Sequence, residues 1–212
     1  MHINRKNTGR FWPIPKKGTK YVAVSTHNRK SSMPLSVVMR NIFKLVKNVK
    51  ELKKLLNEGK IKINGKEIRE VKYPIGLFDI LSFNTKNYRS NFNGKKTFFE
   101  EIKIEEAHTK IIKIIGKNKL KNNVIQFNLM DGRNIISNEK AEINDSILYD
   151  FNSKKIKKII KMEKGGSGFV VKGKHSGEKG KILDIVNVGG KELAVIDDKK
   201  KIIVWTKNII AI

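Results

Sequence analysis

The chain has 212 residues, with 46 Lys+Arg against 20 Asp+Glu, a formal net charge of +26 and no cysteine. That excludes a disulfide framework and thiolate metal sites, and no stretch approaches the roughly 20 apolar residues of a membrane-spanning helix. Solubility alone asks for a net charge of only ~2–8, so the excess points to a polyanionic partner, nucleic acid before membrane or acidic protein.

Residues 1–34 form the first predicted segment. Eight cations fall in its first 30 positions, and the first acid of the chain is Glu51. An acid-free basic arm with little apolar periodicity has little reason to fold alone, so a partner is expected to order it. Arg5, Lys6, Arg10, Lys16, Lys17 and Lys20 are its candidate RNA contacts. In Arg10-Phe11-Trp12-Pro13-Ile14-Pro15-Lys16-Lys17, the Trp12 ring fits stacking on a base about as well as packing on the chain's own core.

Leu35, Val38, Ile42 and Leu45 recur at helical spacing, predicting a helix over 35–47 with Arg40, Lys44 and Lys47 on another face. Asn48 caps a second helix with Val49, Leu52, Leu55 and Leu56 inward and Gly59 at its end, leaving Lys50, Lys53 and Lys54 outside. Glu51 is the only acid before Glu58. Pairing along the helices therefore cannot neutralise these six cations, and they are expected to meet RNA phosphates.

Lys60–Ile63 and Lys66–Arg69 alternate about Asn64-Gly65, a pair that tolerates the positive φ values of a type I′ turn. Ile80, Leu81 and Phe83 predict a further strand, and residues 35–92 are expected to form a small α+β domain. Residues 93–164 shift to short alternating runs: Val124–Leu129, a turn at Asp131-Gly132, Asn134–Ile136, and a basic strand at Lys154–Lys161. With a short helix near Glu100–Thr109, they predict a central antiparallel β-domain. Lys113 interrupts the apolar run around Ile111–Ile115.

Gly165-Gly166-Ser167-Gly168 reads as a joint. Strands over Phe169–Val171, Lys181–Val188, Leu193–Asp197 and Ile202–Trp205 predict a small β-barrel at 165–212. The glycine loop before Lys181 is not a nucleotide-binding P-loop, because His175 stands where the first glycine is needed, Ile182 where Ser or Thr is needed, and no helix follows. Gly173, Gly177 and Gly180 are expected to shape it so that Lys174, His175, Ser176, Lys179 and Lys181 reach RNA.

Asp79, Asp131, Asp145, Asp150, Asp197 and Asp198 lie in no motif with a base, nucleophile or metal partner, and they read as turns and strand ends. His2, His27, His108 and His175 are too scattered for zinc. No catalysis, metal, cofactor or small-molecule substrate is expected. The fold class expected is α+β, with the second half all-β.

Residues 36–83, through Tyr73-Pro74-Ile75-Gly76-Leu77-Phe78-Asp79-Ile80-Leu81, resemble an S-four RNA-binding domain. Residues 169–188 resemble a KOW motif, with Lys172-Gly173 where a Gly-Gly pair is common. The whole order is similar to the archaeal and eukaryotic small-subunit ribosomal protein S-four-e family: Arg10–Lys17, Tyr73–Leu81, Glu105-Glu106-Ala107, Asn128–Ile135, then the KOW segment. Thr26-His27-Asn28 departs from that family's Gly-Pro-His turn, and the lack of a C-terminal extension is closer to archaeal members. The resemblance implies an S-four domain, a central β-domain and a KOW-type SH3-like barrel. It also implies binding to small-subunit rRNA, neighbouring ribosomal proteins as partners, no membrane, and a cytoplasmic place in the ribosome. The alternatives are a KOW transcription elongation factor and the accessory RNA-binding part of an RNA-modification enzyme.

Overall fold

Alternating runs and turn residues dominate the sequence, and the fold is accordingly mostly β, with few helices. The computed structural model describes residues 1–120, 124–197 and 201–212, which divide into two units, Met1–His108 and Thr109–Ile212. Only the first unit mixes helix and sheet in the way the α+β expectation requires.

The first unit opens with β1 (His2–Asn4) and β2 (Tyr21–Ala23), paired antiparallel. Residues 1–34 are therefore not a free arm. Four of their apolar side chains reach the core: Trp12, Ile14, Val22 and Met33 sit in one buried cluster with Leu35, Leu52 and Ile61. Burial at roughly 1.5–3 kcal/mol per large apolar side chain is what an arm read only by its charge lacks.

β3 (Met33–Pro34) leads into α1 (Leu35–Val37), which widens at once into a π-helical turn, Val38–Ile42. Lys44 then takes φ 56°, so the helix expected over 35–47 stops early. The break exchanges inside and outside: Val46 is buried, while Leu45 is 47% exposed. α2 (Val49–Asn57) starts as predicted, the Asn48 side chain accepting the Glu51 N–H at 2.9 Å. Leu52 and Leu56 face the core, whereas Val49, expected inward, is exposed.

β4 (Ile61–Ile63) and β5 (Lys66–Glu67) close a hairpin with φ 52° at Asn64 and 77° at Gly65, the two positive values of a type I′ turn. The buried Asn64 amide also donates to Asp79 at 2.7 Å and accepts the Ile80 N–H at 2.9 Å, pinning the turn to the next strand. β6 (Pro74–Ile75) pairs with β3. β7 (Ile80–Phe83), β8 (Lys86–Asn93) and β9 (Lys96–Ile102) complete a sheet of order β5-β4-β7-β8-β9. The boundary expected at 92/93 thus falls inside the β8–β9 hairpin. The unit ends in a 3-10 helix, Ile104–His108, within the span where a short helix was expected.

The second unit holds two antiparallel sheets. β10 (Thr109–Lys119), β11 (Ile125–Leu129), β12 (Asn134–Ser137), β13 (Ser146–Asp150) and β14 (Ile156–Ile160) run in the order β12-β11-β10-β13-β14 over Ile112, Ile114, Phe127, Leu129 and Ile147. β15 (Ser167–Val170), β16 (Lys179–Val188), β17 (Lys191–Asp197), β18 (Lys201–Trp205) and β19 (Ile209–Ala211) run in the order β18-β17-β16-β15-β19 over Val170, Ile182, Ala194, Ile196 and Ile209. β19, which no alternation announces, pairs with β15. The joint expected at 164/165 falls between β14 and β15, where one sheet ends and the next begins, and both sheets lie within the unit Thr109–Ile212.

Lys113 ties the two sheets of this unit to each other. It is 1% exposed on β10, and its ammonium donates to the Thr206 carbonyl and, at 2.6 Å, to the Ile209 carbonyl. The residue that interrupts an apolar run is itself core, reaching from the first sheet into the end of the second.

Candidate nucleic-acid interface

Arg40 lies in the π-helical turn, Lys44 at its left-handed end and Lys47 in the link to α2, so they do not form the single helical stripe expected. All three are exposed nonetheless, as are Lys50, Lys53 and Lys54, which the inward Leu52 and Leu56 turn outward on α2. The one acid among them is spent locally: Glu51 accepts the backbone N–H of Lys47, just before the N-cap, at 2.7 Å and the Asn48 side-chain amide at 3.1 Å.

Among the described residues none of these six cations forms a salt bridge. Just beyond them the pattern reverses. Lys60 meets Glu58 at 2.7 Å, Lys62 meets Glu67 at 3.6 Å, Lys86 meets Glu101 at 3.3 Å and Arg89 meets Glu106 at 3.2 Å. A group of exposed cations that the chain does not neutralise itself is suited to hold a polyanion by displacing its counterions.

The first 34 residues split in two. Arg5 is buried, its guanidinium donating to the Thr19 carbonyl at 2.7 Å and the Pro15 carbonyl at 3.0 Å, so it organises the chain's own loop instead of contacting a phosphate. Trp12 is 5% exposed and set edge-on to Phe11, so it offers no open face to a base. Both depart from their expected role for one reason: an apolar ring and a five-donor cation were the best available material for a small core. Lys16 is exposed but partly engaged, donating to the carbonyl and hydroxyl of Thr8 at 2.9 and 3.0 Å. Lys6, Arg10, Lys17 and Lys20 remain exposed.

In the glycine loop Gly173 and Gly177 take φ 106° and 91°. Gly180 has no such φ and lies in β16, where a Cβ would run into the Asp197 carbonyl, so a close strand crossing requires it, not the loop. Ser176 donates to the Val171 carbonyl at 2.9 Å, and His175 Nδ1 stands 2.9 Å from the Glu178 carboxylate; both hold the loop together from within. Lys174 and Lys179 are exposed, Lys179 beside the Phe169 ring at 5.7 Å. Lys181 sits on the sheet in register with Asp197.

Asp79 and Asp145 serve the fold, accepting backbone N–H groups of Gly76 at 2.6 Å and Met162 at 2.9 Å. Asp131 lies 3.5 Å from the buried Lys110, and Asp150 is held below the usual carboxylate range by the Asn152 N–H and by Lys157. Asp198 lies outside the described residues. Two structural polar groups escaped sequence reading, the Asn64–Asp79 pair and Lys113. Burial pushes the Lys113 ammonium down to about 8, against the attraction of Glu192. Its signal was the lysine in mid-strand among isoleucines.

A family model described as "Ribosomal family S4e" matches residues 84–156. The small ribosomal subunit protein eS4 of Nanoarchaeum equitans is 32% identical over 192 residues, spanning 87% of this chain and 82% of that protein. The protein of the same name from Methanocella arvoryzae is 36% identical over 191 residues, 87% of this chain and 80% of the relative. Among solved structures, that of the 30S ribosomal protein S4e from Thermoplasma acidophilum superposes with a TM-score of 0.76 at 27% identity, covering 86% of this chain and 95% of that one.

Proposed function

The chain belongs to the ribosomal S4e family, and from that premise we propose that it is a structural constituent of the small ribosomal subunit which binds and steadies folded rRNA. It is not an enzyme, and its place is in the cytoplasm, within the ribosome. The observation that carries the RNA-binding part is the set of six exposed cations between Arg40 and Lys54 without a carboxylate partner among the described residues. Each phosphate they meet releases counterions, so log affinity falls by about 0.7–0.9 per contact per tenfold salt. Recognition of a folded RNA shape suits such contacts better than reading of base edges.

We read α1 with its π-helical turn, α2 and the β4–β5 hairpin as the S-four-type module, the β10–β14 sheet as the central β-domain, and β15–β19 as the KOW-type SH3-like barrel. Lys6, Arg10, Lys17 and Lys20 support the first module, and Lys174 and Lys179 carry the loop contacts, held in place by His175 and Ser176. Other proteins of the subunit are its neighbours. Sucrose-gradient sedimentation of the tagged chain from cell extract tests the reading. Comigration with small subunits is expected; protein found free or with RNA polymerase would overturn it.

A further inference from the structure

The outer face of the β16–β17–β18 sheet carries an apolar patch. On β18 the inward residues Ile202 and Val204 are buried, while the alternate residues Ile203 and Trp205 are 66% and 43% exposed. Register sets Val195 beside Ile203, and places Val186 and Trp205 on either side of Leu193. Cross-strand neighbours stand about 5 Å apart, so two adjoining apolar rows cover three strands. β18 is the end strand of its sheet.

The charges framing the patch have an order. At one end Lys201 lies across from Asp197, which in turn faces Lys181. At the other, Lys191 holds its ammonium 4.9 Å from the centre of the Trp205 ring. Asp184, beside the first apolar row, is 3.7 Å from Lys164. Along the strands the rows follow at about 6.8 Å, so the two positive ends lie about 20 Å apart, the reach of about seven extended residues. Between them, among the described side chains, Val186, Leu193, Val195 and Ile203 offer no donor, and the Trp205 indole N–H is the one polar group of the two rows. RNA laid there would lose hydration of its phosphates against Val, Leu and Ile and gain no hydrogen bond from them.

We propose that this face docks an extended segment of another small-subunit protein, laid along β18, with apolar side chains at its third and fifth positions and acidic ones at its first and seventh. The apolar pair covers Ile203 and Trp205, and the acids meet Lys201 and Lys191. Such strand addition takes its affinity from the sheet edge and its specificity from alternate side chains. It also accounts for an edge strand that a protein in solution would shield from aggregation.

The inference rests on the ribosomal reading, and the experiment separates the two. The full chain is expressed in cells with benzophenylalanine in place of Ile203, small subunits are isolated by sedimentation, and the probe is activated by light. Presence of the variant in the subunit peak reports on the ribosomal reading. The adduct reports on the docking face. A ribonuclease-resistant, protease-sensitive adduct is expected, mapped to a segment of the stated pattern and formed equally after a high-salt wash that weakens phosphate contacts. An adduct to rRNA, an adduct to a second copy of this chain, or no adduct from subunits that contain the variant would each overturn it. Ile203→Lys with Trp205→Lys, both at exposed positions, should leave the melting temperature unchanged and lower retention in salt-washed subunits by roughly tenfold. Unchanged retention would count against the face.

Discussion

Between Arg40 and Lys54 six cations stand exposed without a salt bridge among the described residues, whereas at Lys110 and Lys113 the same kind of side chain is buried, one near Asp131 and the other on two backbone carbonyls. A net charge of +26 is therefore not a uniform coat. Some lysines are construction material whose charge the fold has already engaged, and others stand exposed without a salt bridge among the described residues. Lysine count does not separate the two groups; the position of the nearest acceptor does. The difference predicts opposite responses. Altering the buried lysines should change stability, and altering the exposed ones should change binding.

The largest effect is expected at Lys113. Lys113→Ala removes the ammonium donor from the Thr206 and Ile209 carbonyls, of which Thr206 keeps the Ile209 N–H, and opens a void under β10. The expected loss is ~2–4 kcal/mol of unfolding free energy. Lys53→Ala, on the exposed face of α2, should stay within about 0.5 kcal/mol of the parent. Chemical denaturation of the two variants decides the matter, and equal midpoints would erase the distinction between the two regions.

A smaller effect follows from proton linkage. The Lys113 ammonium is held down at about 8, against an ordinary value of 10.5. Between those two values the unfolded chain binds more protons at this site than the folded one. Stability should therefore rise with pH across that window, by of order 1–3 kcal/mol. The neutral amine still has N–H groups for both carbonyls. Lys113→Met, which keeps the volume and removes the titration, should lack this rise. Parallel stability–pH curves for parent and variant between pH 8 and 10.5 would mean that the amine is not desolvated.

What the sequence disclosed follows the range of the interaction involved. The Asn64-Gly65 hairpin, the Asn48 cap and the strands at 125–129, 179–188 and 201–205 rest on contacts within a few residues, and they stand close to where periodicity put them. The folding of residues 1–34 was not legible, because Trp12 and Ile14 find their core with Leu35, Leu52 and Ile61, which lie well along the chain. The boundary at 92/93 was readable and missed: Asn93-Gly94 carries the same turn signal as Asn64-Gly65, Gly94 takes φ 57°, and β9 pairs back on β8. Of the candidate site, the unbalanced charge at 40–54 was visible as a lack of acids. The burial of Arg5, the close approach at Gly180 and the core lysine were not, since each depends on a segment further along the chain that local patterns do not name.

The smallest change in stability should come with the clearest change in binding. Arg40, Lys44 and Lys47 stand on three different local backbones: a π-helical turn, a left-handed residue and a bend before α2. Gln replaces each without asking for a new conformation, since it is as unbranched as Lys or Arg and close to them in helix propensity. No carboxylate loses a partner. The triple change should leave the melting temperature within a degree or two, with a slight gain from relieved repulsion. If the three cations meet phosphates, the slope of log affinity against log salt should flatten by about two, at ~0.7–0.9 per lost contact. Net charge alone would also weaken binding somewhat, so the matched control removes three cations that are already paired: Lys60, Lys62 and Lys86, each to Gln. Both variants lose the same formal charge. The control should shift the slope by less than about one, because its lysines hold carboxylates of their own. Titration of a small-subunit rRNA fragment at several salt concentrations gives both slopes. Equal slopes would mean that RNA responds to the total charge of this chain, and that the unpaired cations at 40–54 have no privileged place in binding.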